Sequence, residues 1–113
     1  MRKPNKYRAQ RTTVDGITFD SKKEAERYQQ LKLLEVVGEI INLRRQVALP
    51  LVGQHGPIKT RTGRQMRLTV DFVYEEWCYG WKTIYEEVKG TRTRDYEVRR
   101  AVVQAMGIDI LET

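Results

Sequence analysis

The pattern of hydrophobic residues predicts a helix near the start of the chain, over residues 22–37. Its apolar residues recur every third position and form one stripe: Tyr28, Leu31 and Leu34. Ser21 and Glu24 match the capping box that begins a helix. Gly38 stands where the left-handed residue that follows a helix is expected, so it marks the end of this element.

Extended segments rich in β-branched and aromatic residues predict the strands of a sheet. These segments are residues 13–19, 39–52, 66–76, 81–89 and 108–111. The first turns at Asp15-Gly16, and the second is expected to break near Arg44-Arg45. Residues 77–80 join the third and fourth segments as a hairpin, so these two strands are expected to be antiparallel neighbours.

A second helix is predicted over residues 94–106, before Gly107. Its small apolar residues recur at helical spacing: Val98, Ala101, Val102 and Ala105. After the initial extended piece, the order of elements is α-β-β-β-α-β. We therefore predict a single-domain α/β fold of the α+β type, with a mixed sheet.

Length and composition are those of one small folded domain. The chain has 113 residues, of which 40% are hydrophobic and 32% are charged. No apolar run approaches the roughly 20 residues that span a bilayer, and the N-terminal residues lack the apolar core of a secretory signal. The single cysteine, Cys78, forms neither an internal disulfide nor a cysteine-rich zinc site. We therefore expect a cytoplasmic protein with no membrane partner and no small-molecule cofactor.

Positive charge is concentrated in the first part of the chain. Residues 1–67 carry a net charge of +9, and residues 68–113 a net charge of −3. Segments 1–13 and 53–67 contain no acidic residue, so we expect a basic flexible arm before a domain over 14–113, and a basic loop within that domain. Such segments suit the phosphate backbone of DNA, and a solvated surface is the alternative. The residues expected to contact DNA are Arg2, Lys3, Lys6, Arg8, Arg11, Lys59, Arg61, Arg64 and Arg67.

Candidate chemistry comes from acidic residues on two adjacent predicted strands. Asp71 lies in an apolar run, and Glu87 and Lys89 share one face of the next strand. A buried Asp71 needs a partner. A nearby lysine or arginine would form a salt bridge, whereas Asp71 and Glu87 together would hold Mg²⁺ (or Mn²⁺), with Lys89 beside a metal-bound water. For Glu87 and Lys89, an ordinary surface ion pair is the alternative.

Two roles are open to Glu24. It is the fourth residue of the capping box, which gives it a structural role at the start of the helix. It also lies about 40° from Tyr28 and about 20° from Leu31 around the helix, at 100° per residue. Glu24 therefore shares the face that packs on the sheet, where it would reach the metal, and the two roles can coexist.

The order of a helix glutamate, a strand aspartate and an E-x-K pair before a second helix resembles the PD-(D/E)XK nuclease superfamily. That superfamily includes restriction endonucleases and Holliday-junction resolvases. Three segments also look like those of a family of small phage- and prophage-encoded nuclease-like proteins: residues 21–28 (SKKEAERY), 69–73 (TVDFV) and 86–90 (EEVKG). The resemblance covers about residues 5–112.

The resemblance implies a restriction-endonuclease-like core and a Mg²⁺- or Mn²⁺-dependent endonuclease that hydrolyses DNA phosphodiesters. It implies a phage or prophage role in recombination at branched DNA, inside a bacterial host. Glu24, Asp71 and Glu87 match the metal-binding acids and Lys89 the catalytic lysine, while Val70 replaces the proline of the family's motif. Polar residues of the second helix match, loosely, a position that contacts substrate phosphate: Tyr96, Arg99 and Arg100.

Selectivity for DNA structure is expected rather than selectivity for sequence, because no base-reading motif occurs in the chain. A four-way junction needs two symmetric cuts, which would require a homodimer. Candidate dimer contacts are the aromatic residues at the predicted hairpin tip, for which capping of the core is the alternative: Trp77, Tyr79 and Trp81. The alternative function is a non-catalytic nucleic-acid-binding phage protein that retains the nuclease fold.

Overall fold

The structure, a computed structural model, describes residues 10–88 and 93–113. Its central element is a four-stranded β-sheet. In chain order the elements are β1 (Thr12–Val14), β2 (Ile17–Phe19), α1 (Lys22–Val36), β3 (Ile40–Pro50), β4 (Val52–Gly53), β5 (Gly56–Pro57), β6 (Arg67–Trp77), β7 (Trp81–Glu87), α2 (Arg94–Ala105) and β8 (Ile110–Glu112). The sheet has the order β3-β6-β7-β8, with β7 and β8 parallel and the other neighbours antiparallel. The chain is therefore a small single-domain α+β protein with a mixed sheet. Neither of these two helices is long and apolar enough to cross a membrane.

The predicted order α-β-β-β-α-β is found as α1-β3-β6-β7-α2-β8. The extended piece before α1 forms a hairpin of β1 and β2, whose turn places Asp15 and Gly16 at φ angles of 52° and 75°. Such positive angles suit the Asp-Gly pair of a tight hairpin turn. The predicted antiparallel hairpin of β6 and β7 is also present, with Trp77 paired to Trp81 at its tip.

The irregularity of β3 lies slightly earlier than predicted. The strand continues through Arg44-Arg45, but its register against β6 shifts by one residue between Ile41 and Arg44. Asn42 lies in this interval at a φ of 54°, a left-handed conformation that asparagine adopts more readily than most residues. The predicted break is thus a β-bulge, and the strand itself is not interrupted.

Residues 53–67, predicted as a basic loop, contain regular structure. They include part of the β4–β5 hairpin and a bridge between Lys59 and Gln65, and the last residue begins β6. The side-chain amide of Gln65 donates to the carbonyl oxygens of Leu51, Ile58 and Met66 and so closes the segment on itself. The arm predicted over 1–13 ends within β1, and residues 1–9 lie outside the described residues.

Two hydrophobic clusters stabilise the sheet. The first joins α1 to β2, β3 and β6 and contains Phe19, Ala25, Tyr28, Leu31, Ile40, Phe72, Tyr74 and Val88. The second joins α2 to β3 and β6 and contains Leu49, Leu51, Leu68, Val70, Val73 and Val103. The sheet is therefore covered by one helix in each cluster, and the two clusters meet along β6.

The buried face of α2 coincides only in part with the apolar stripe seen in the sequence. Val102 of that stripe packs against the second cluster, but Val98 is 57% exposed and Ala101 and Ala105 are also exposed, whereas Val103 is completely buried. Tyr96, seven residues before Val103, packs against the same cluster. Two apolar faces compete on this helix, and the larger Tyr96 and Val103 side chains bury more surface than the alanines.

A buried ion pair links α1 to the end of the sheet. Glu86 is completely buried, and its carboxylate accepts hydrogen bonds from Arg27 Nε at 2.7 Å and from Arg27 Nη2 at 3.0 Å. The hydroxyl groups of Tyr74 and Thr113 donate to the same carboxylate, at 2.6 and 3.1 Å. The pKa of Tyr74 is raised, first by burial and then by Glu86. Each oxygen of Glu86 is thereby satisfied, which a buried carboxylate requires.

We expect replacement of Arg27 by alanine to reduce the free energy of unfolding by about 3 kcal/mol, because Glu86 would remain buried without its cation. The double variant Arg27→Met/Glu86→Leu should recover part of this loss. Chemical denaturation measures both values. The control is Lys22→Ala on the same helix: its pair with Glu26 spans 4.0 Å at the surface, and its loss should change stability by less than about 1 kcal/mol. Equal losses in Arg27→Ala and Lys22→Ala would contradict this account.

Candidate functional site

Three carboxyl groups meet where β6 and β7 approach the first turn of α1. The strand register pairs Phe72 with Glu86, which places Asp71 beside Glu87, and the carboxyl groups of Asp71 and Glu87 are in hydrogen-bond contact. Glu24 is 6% exposed and lies close enough to interact electrostatically with both. The structure thus brings together three of the four predicted residues, and Lys89 lies outside the described residues.

The strand β6 changes face at Asp71. Side chains two positions apart normally share a face of a strand, yet Val70 packs in the second hydrophobic cluster and Phe72 in the first. The neighbouring strand does the same: Val47 packs against the second cluster, while the guanidinium of Arg45 lies 4.5 Å from the ring centre of Phe19 in the first. The two clusters therefore divide at Asp71, and this leaves its carboxyl group between them.

Gln46 is the residue of β3 at which this change occurs. Its φ of 50° is unusual for a residue inside a strand and is unfavourable for a side chain of this size. The side chain is used at the same point: Nε2 donates to Oδ1 of Asp71 and to Oε1 of Glu24, both at 3.2 Å. The strained backbone thus accompanies an amide placed between two carboxyl groups.

Among the described residues, few cations and hydrogen-bond donors contact the cluster. Asp71 Oδ2 accepts the backbone N–H of Val88 at 2.8 Å, and Arg45 Nη2 lies 3.9 Å from Glu24 Oε1. Asp71 has no salt bridge with a lysine or arginine among the residues that the structure describes. Glu87 Oε2 is buried and, within the same residues, accepts no hydrogen bond from an N–H or O–H group. The salt-bridge interpretation of Asp71 therefore finds no support in these contacts.

The pKa values of all three carboxyl groups are raised. Burial and then the Asp71 charge raise the pKa of Glu24 to about 7. Burial and then the Asp71 charge also raise the pKa of Glu87 to about 8. Burial raises the pKa of Asp71 as well, against the lowering effect of its bonds to Val88 and Gln46. These directions are the ones expected for carboxyl groups in contact in a poorly solvated place, where each makes the other harder to ionise.

Both roles proposed for Glu24 have a counterpart in the structure. Ser21 caps α1, because its Oγ accepts the backbone N–H of Glu24 at 3.1 Å. The carboxyl group of Glu24 points instead to Gln46 and Arg45. The backbone of Glu24 thus belongs to the helix cap, while its side chain belongs to the carboxyl cluster.

The cluster has the donor atoms that a hard divalent cation prefers, since Mg²⁺ and Mn²⁺ bind carboxylate oxygens. In the described residues, however, no group of three or more histidine, cysteine or acidic side chains has the spacing of a metal site. The contacts are consistent with this: Asp71 and Glu87 are in direct contact with each other, and the Gln46 amide lies between Asp71 and Glu24. The residues fit such a cation in type, and the buried Glu87 Oε2 supplies an acceptor that no protein donor uses.

Three important polar residues were not identified from the sequence. Gln46 and Arg45 lie in the run where a break was predicted, but nothing in the pattern shows that their side chains reach Glu24. Glu86 precedes Glu87 directly, and the residue type does not distinguish the two. Their side chains point to opposite faces of the strand, Glu86 toward Arg27 and Glu87 toward the cluster.

The predicted DNA-binding residues are dispersed. Those in the described residues that are exposed are Arg11, Lys59, Arg61, Arg64 and Arg67. Arg99 is partly buried and donates to Asp95 and to the carbonyl oxygen of Arg67. Arg100 lies beside Glu97 and Gln104 on α2, and Tyr96 donates to Glu112. Four further residues predicted to bind DNA lie outside the described residues: Arg2, Lys3, Lys6 and Arg8.

The aromatic residues at the hairpin tip are exposed to solvent. Trp77 and Trp81 pack edge to face, with ring centres 5.3 Å apart, and are 60% and 48% exposed. Tyr79, at the turn, is fully exposed. These side chains do not cap the core, so the core-capping alternative is wrong, and their predicted role as dimer contacts stays a prediction.

The raised pKa values predict an unusual dependence of stability on pH. A carboxyl group with a higher pKa in the folded chain stabilises the fold below its unfolded value of 4.5, and this stabilisation is lost as the pH rises to about 8. In EDTA, Glu87→Gln should therefore be more stable than the wild type near pH 8, by about 1 kcal/mol after allowance for screening by water, because its amide donates to Asp71. Near pH 5 the difference should vanish.

Thermal denaturation at the two pH values measures this difference. Glu76→Gln, an exposed glutamate on the same strand as Asp71, is the control and should show no such gain. A Glu87→Gln variant that is less stable than the wild type at both pH values would show that ionisation of the cluster does not destabilise the fold.

Comparison with known proteins places the chain in a family but gives it no characterised relative. No curated protein and no solved structure matches it. A family model described as "Protein of unknown function (DUF1064)" matches residues 4–111, which is nearly the whole chain. The chain therefore belongs to the DUF1064 family.

Proposed function

We propose that this protein is a Mg²⁺- or Mn²⁺-dependent DNA endonuclease. The observation that carries the proposal is the meeting of Glu24, Asp71 and Glu87 in one half-buried cluster with raised pKa values. Perturbed carboxyl groups of this kind concentrate at functional sites, because a purely structural cluster would be expected to hold its own counter-charge. Here the nearest cation of the described residues is Arg45, at 3.9 Å from Glu24.

The roles of the residues follow from their positions. Asp71 and Glu87 face each other on adjacent strands and would hold the cation, with Glu24 as a third acid from the helix. When bound, the cation would neutralise charge on a phosphoryl oxygen and lower the pKa of a water. Gln46 keeps Asp71 and Glu24 apart and oriented. The assignment of Lys89 as the catalytic lysine depends on the E-x-K pattern alone.

The topology supports a nuclease-like core. A sheet of three antiparallel strands extended by the parallel strand β8, with α1 and α2 in separate clusters, agrees with the fold that the resemblance implies. The carboxyl cluster lies at the end of β7, close to Glu24 of α1. These features support, as part of the proposal, a restriction-endonuclease-like nuclease that acts on branched DNA in phage recombination.

The charge distribution supports DNA as the substrate. The exposed arginine and lysine residues of segment 53–67 have no acidic residue among them. Such a surface neutralises phosphates and releases counterions, a gain that depends on no particular base sequence. The function is then selective for DNA structure, with a homodimer if the substrate is a four-way junction.

The alternative function is a nucleic-acid-binding protein without catalysis. One observation favours it: the Gln46 amide donates to both Asp71 and Glu24 and so satisfies part of the cluster without any cation. In that case the cluster would be a relic of the fold, and the basic surface alone would be functional. The two functions differ in one measurable property, cleavage.

The endonuclease proposal predicts cleavage of branched DNA in Mg²⁺ or Mn²⁺ and none in EDTA. Asp71→Asn and Glu87→Gln should each lower the cleavage rate by about 100-fold or more, because each removes a ligand for the cation that stabilises the transition state. Lys89→Ala should have an effect of similar size. Gel assays on four-way, flap, nicked and linear DNA measure the rates.

The matched control is Glu76→Gln, which removes a carboxylate from β6 outside the cluster and should cleave like the wild type. DNA binding in EDTA is measured for every variant and should be retained. A wild type that binds all these DNAs and cuts none of them would select the non-catalytic function.

Cation binding can be tested apart from cleavage. Mn²⁺ at about 100 times its dissociation constant should stabilise the wild type by about 2.7 kcal/mol at pH 8 and raise its melting temperature. Asp71→Asn should abolish most of the rise, while Glu76→Gln should keep it. An equal rise in all three proteins would place the cation elsewhere.

A further inference from the structure

Three arginines surround a notch beside the carboxyl cluster, at the start of β6. The notch has a volume of about 460 Å³ and is lined by Arg64, Gln65, Arg67 and Arg99. These residues come from three parts of the fold: the turn before β6, the first residue of β6, and α2. Segments far apart in the sequence therefore converge to place three guanidinium groups around one open space.

The backbone around the notch is fixed by specific contacts. Thr60 N–H donates to the carbonyl oxygen of Arg64 at 2.8 Å, and Arg64 N–H donates to Thr60 Oγ1 at 3.2 Å. Gln65 is tied to three carbonyl oxygens through its side-chain amide. Arg99 is held by Asp95 at 2.9 Å and by the carbonyl oxygen of Arg67 at 2.6 Å. A binding site gains affinity when its groups are ordered before the ligand arrives.

The charge of the notch is not balanced within the protein. Across the parts of the chain that the structure describes, Asp95 is the acid that contacts one of the three arginines, and Arg64 and Arg67 form no ion pair. Like charges gathered on rigid elements repel one another, and an anion relieves this repulsion. Arginine also suits phosphate in particular, because its planar fork donates two hydrogen bonds to phosphate oxygens.

The notch is close to the candidate active site. Arg67 and Asp71 lie on the same strand, four residues apart, which corresponds to about 13 Å at about 3.3 Å per residue. A DNA strand rises about 3.4 Å per nucleotide along the duplex axis, so it covers this distance in about four nucleotides. In length, one strand of DNA can therefore reach from the notch to the carboxyl cluster within about four nucleotides.

We propose that Arg64, Arg67 and Arg99 form a subsite for a DNA phosphodiester, within about four nucleotides of the bond that is cut. This inference rests on the proposed function for the position of the cut, but the subsite itself requires only DNA binding. It fixes the path and direction of the strand across the cluster, because the two sites lie at different points along β6. Contacts to phosphate position a nucleic acid without reading its sequence.

The test measures binding of a short labelled DNA duplex in EDTA, where no cation-dependent cleavage occurs. Arg64→Gln/Arg67→Gln should weaken binding by about 10- to 100-fold, the usual effect of losing charge-assisted hydrogen bonds. It should also lower the slope of log affinity against log salt by about one unit, the amount for one phosphate contact. The matched control is Arg44→Gln/Lys82→Gln, which removes the same charge from exposed residues outside the notch and should have a much smaller effect.

A scan with single methylphosphonate linkages, which carry no charge, locates the contact. For the wild type, a methylphosphonate at one position should weaken DNA binding more than one at any other position. For Arg64→Gln/Arg67→Gln, a methylphosphonate at that same position should cause no additional loss of affinity. The subsite would be overturned if the notch variant and the control variant lost the same affinity for DNA. It would also be overturned if the methylphosphonate scan gave the same profile for the wild type and for Arg64→Gln/Arg67→Gln. A wild type that shows the subsite but cuts no DNA would overturn the endonuclease proposal alone.

Discussion

Three carboxyl groups in one half-buried place oppose one another's ionisation, and the candidate site depends on this constraint. Burial removes the water that would screen Glu24, Asp71 and Glu87, and each ionised group makes the next harder to ionise. The described protein supplies one amide, one backbone N–H and a guanidinium at 3.9 Å as compensation. The remaining compensation comes from a proton, or from a cation that takes its place.

The comparison of Glu86 with Glu87 shows that burial alone does not leave a carboxyl group without compensation for its charge. The two glutamates are neighbours at the end of β7, and Glu86 is the more buried of the two. Glu86 receives Arg27, Tyr74 and a threonine hydroxyl, which together satisfy both its oxygens. Glu87 receives the acid Asp71 instead. Within the described residues, Glu86 thus has a counter-charge and Glu87 has no ion pair, a difference that would be expected if function opposed stability at Glu87.

The sequence predicted the elements and most of the site because these depend on local signals. Capping at Ser21, the turn at Asp15-Gly16 and the hairpin register that places Asp71 beside Glu87 all depend on short segments of sequence. The buried face of α2 could not be chosen from the helix alone, because it depends on which side chains the sheet accepts. The role of Gln46 could not be predicted either: a left-handed residue in a strand violates the usual preference, and only the opposing cluster explains it.

Charge ultimately connects the carboxyl cluster with the basic surface. On the proposed function, the notch of Arg64, Arg67 and Arg99 would attract a phosphodiester, and it lies about 13 Å from Asp71 along β6. This separation exceeds the Debye length of about 8 to 10 Å in physiological salt, so ionised carboxylates of the cluster would repel only the phosphates close to them. A divalent cation at the cluster would replace that repulsion by attraction. The ion that would activate a water would thus also admit the substrate, and the raised pKa of Glu87 is the sign of the missing positive charge that such an ion would supply.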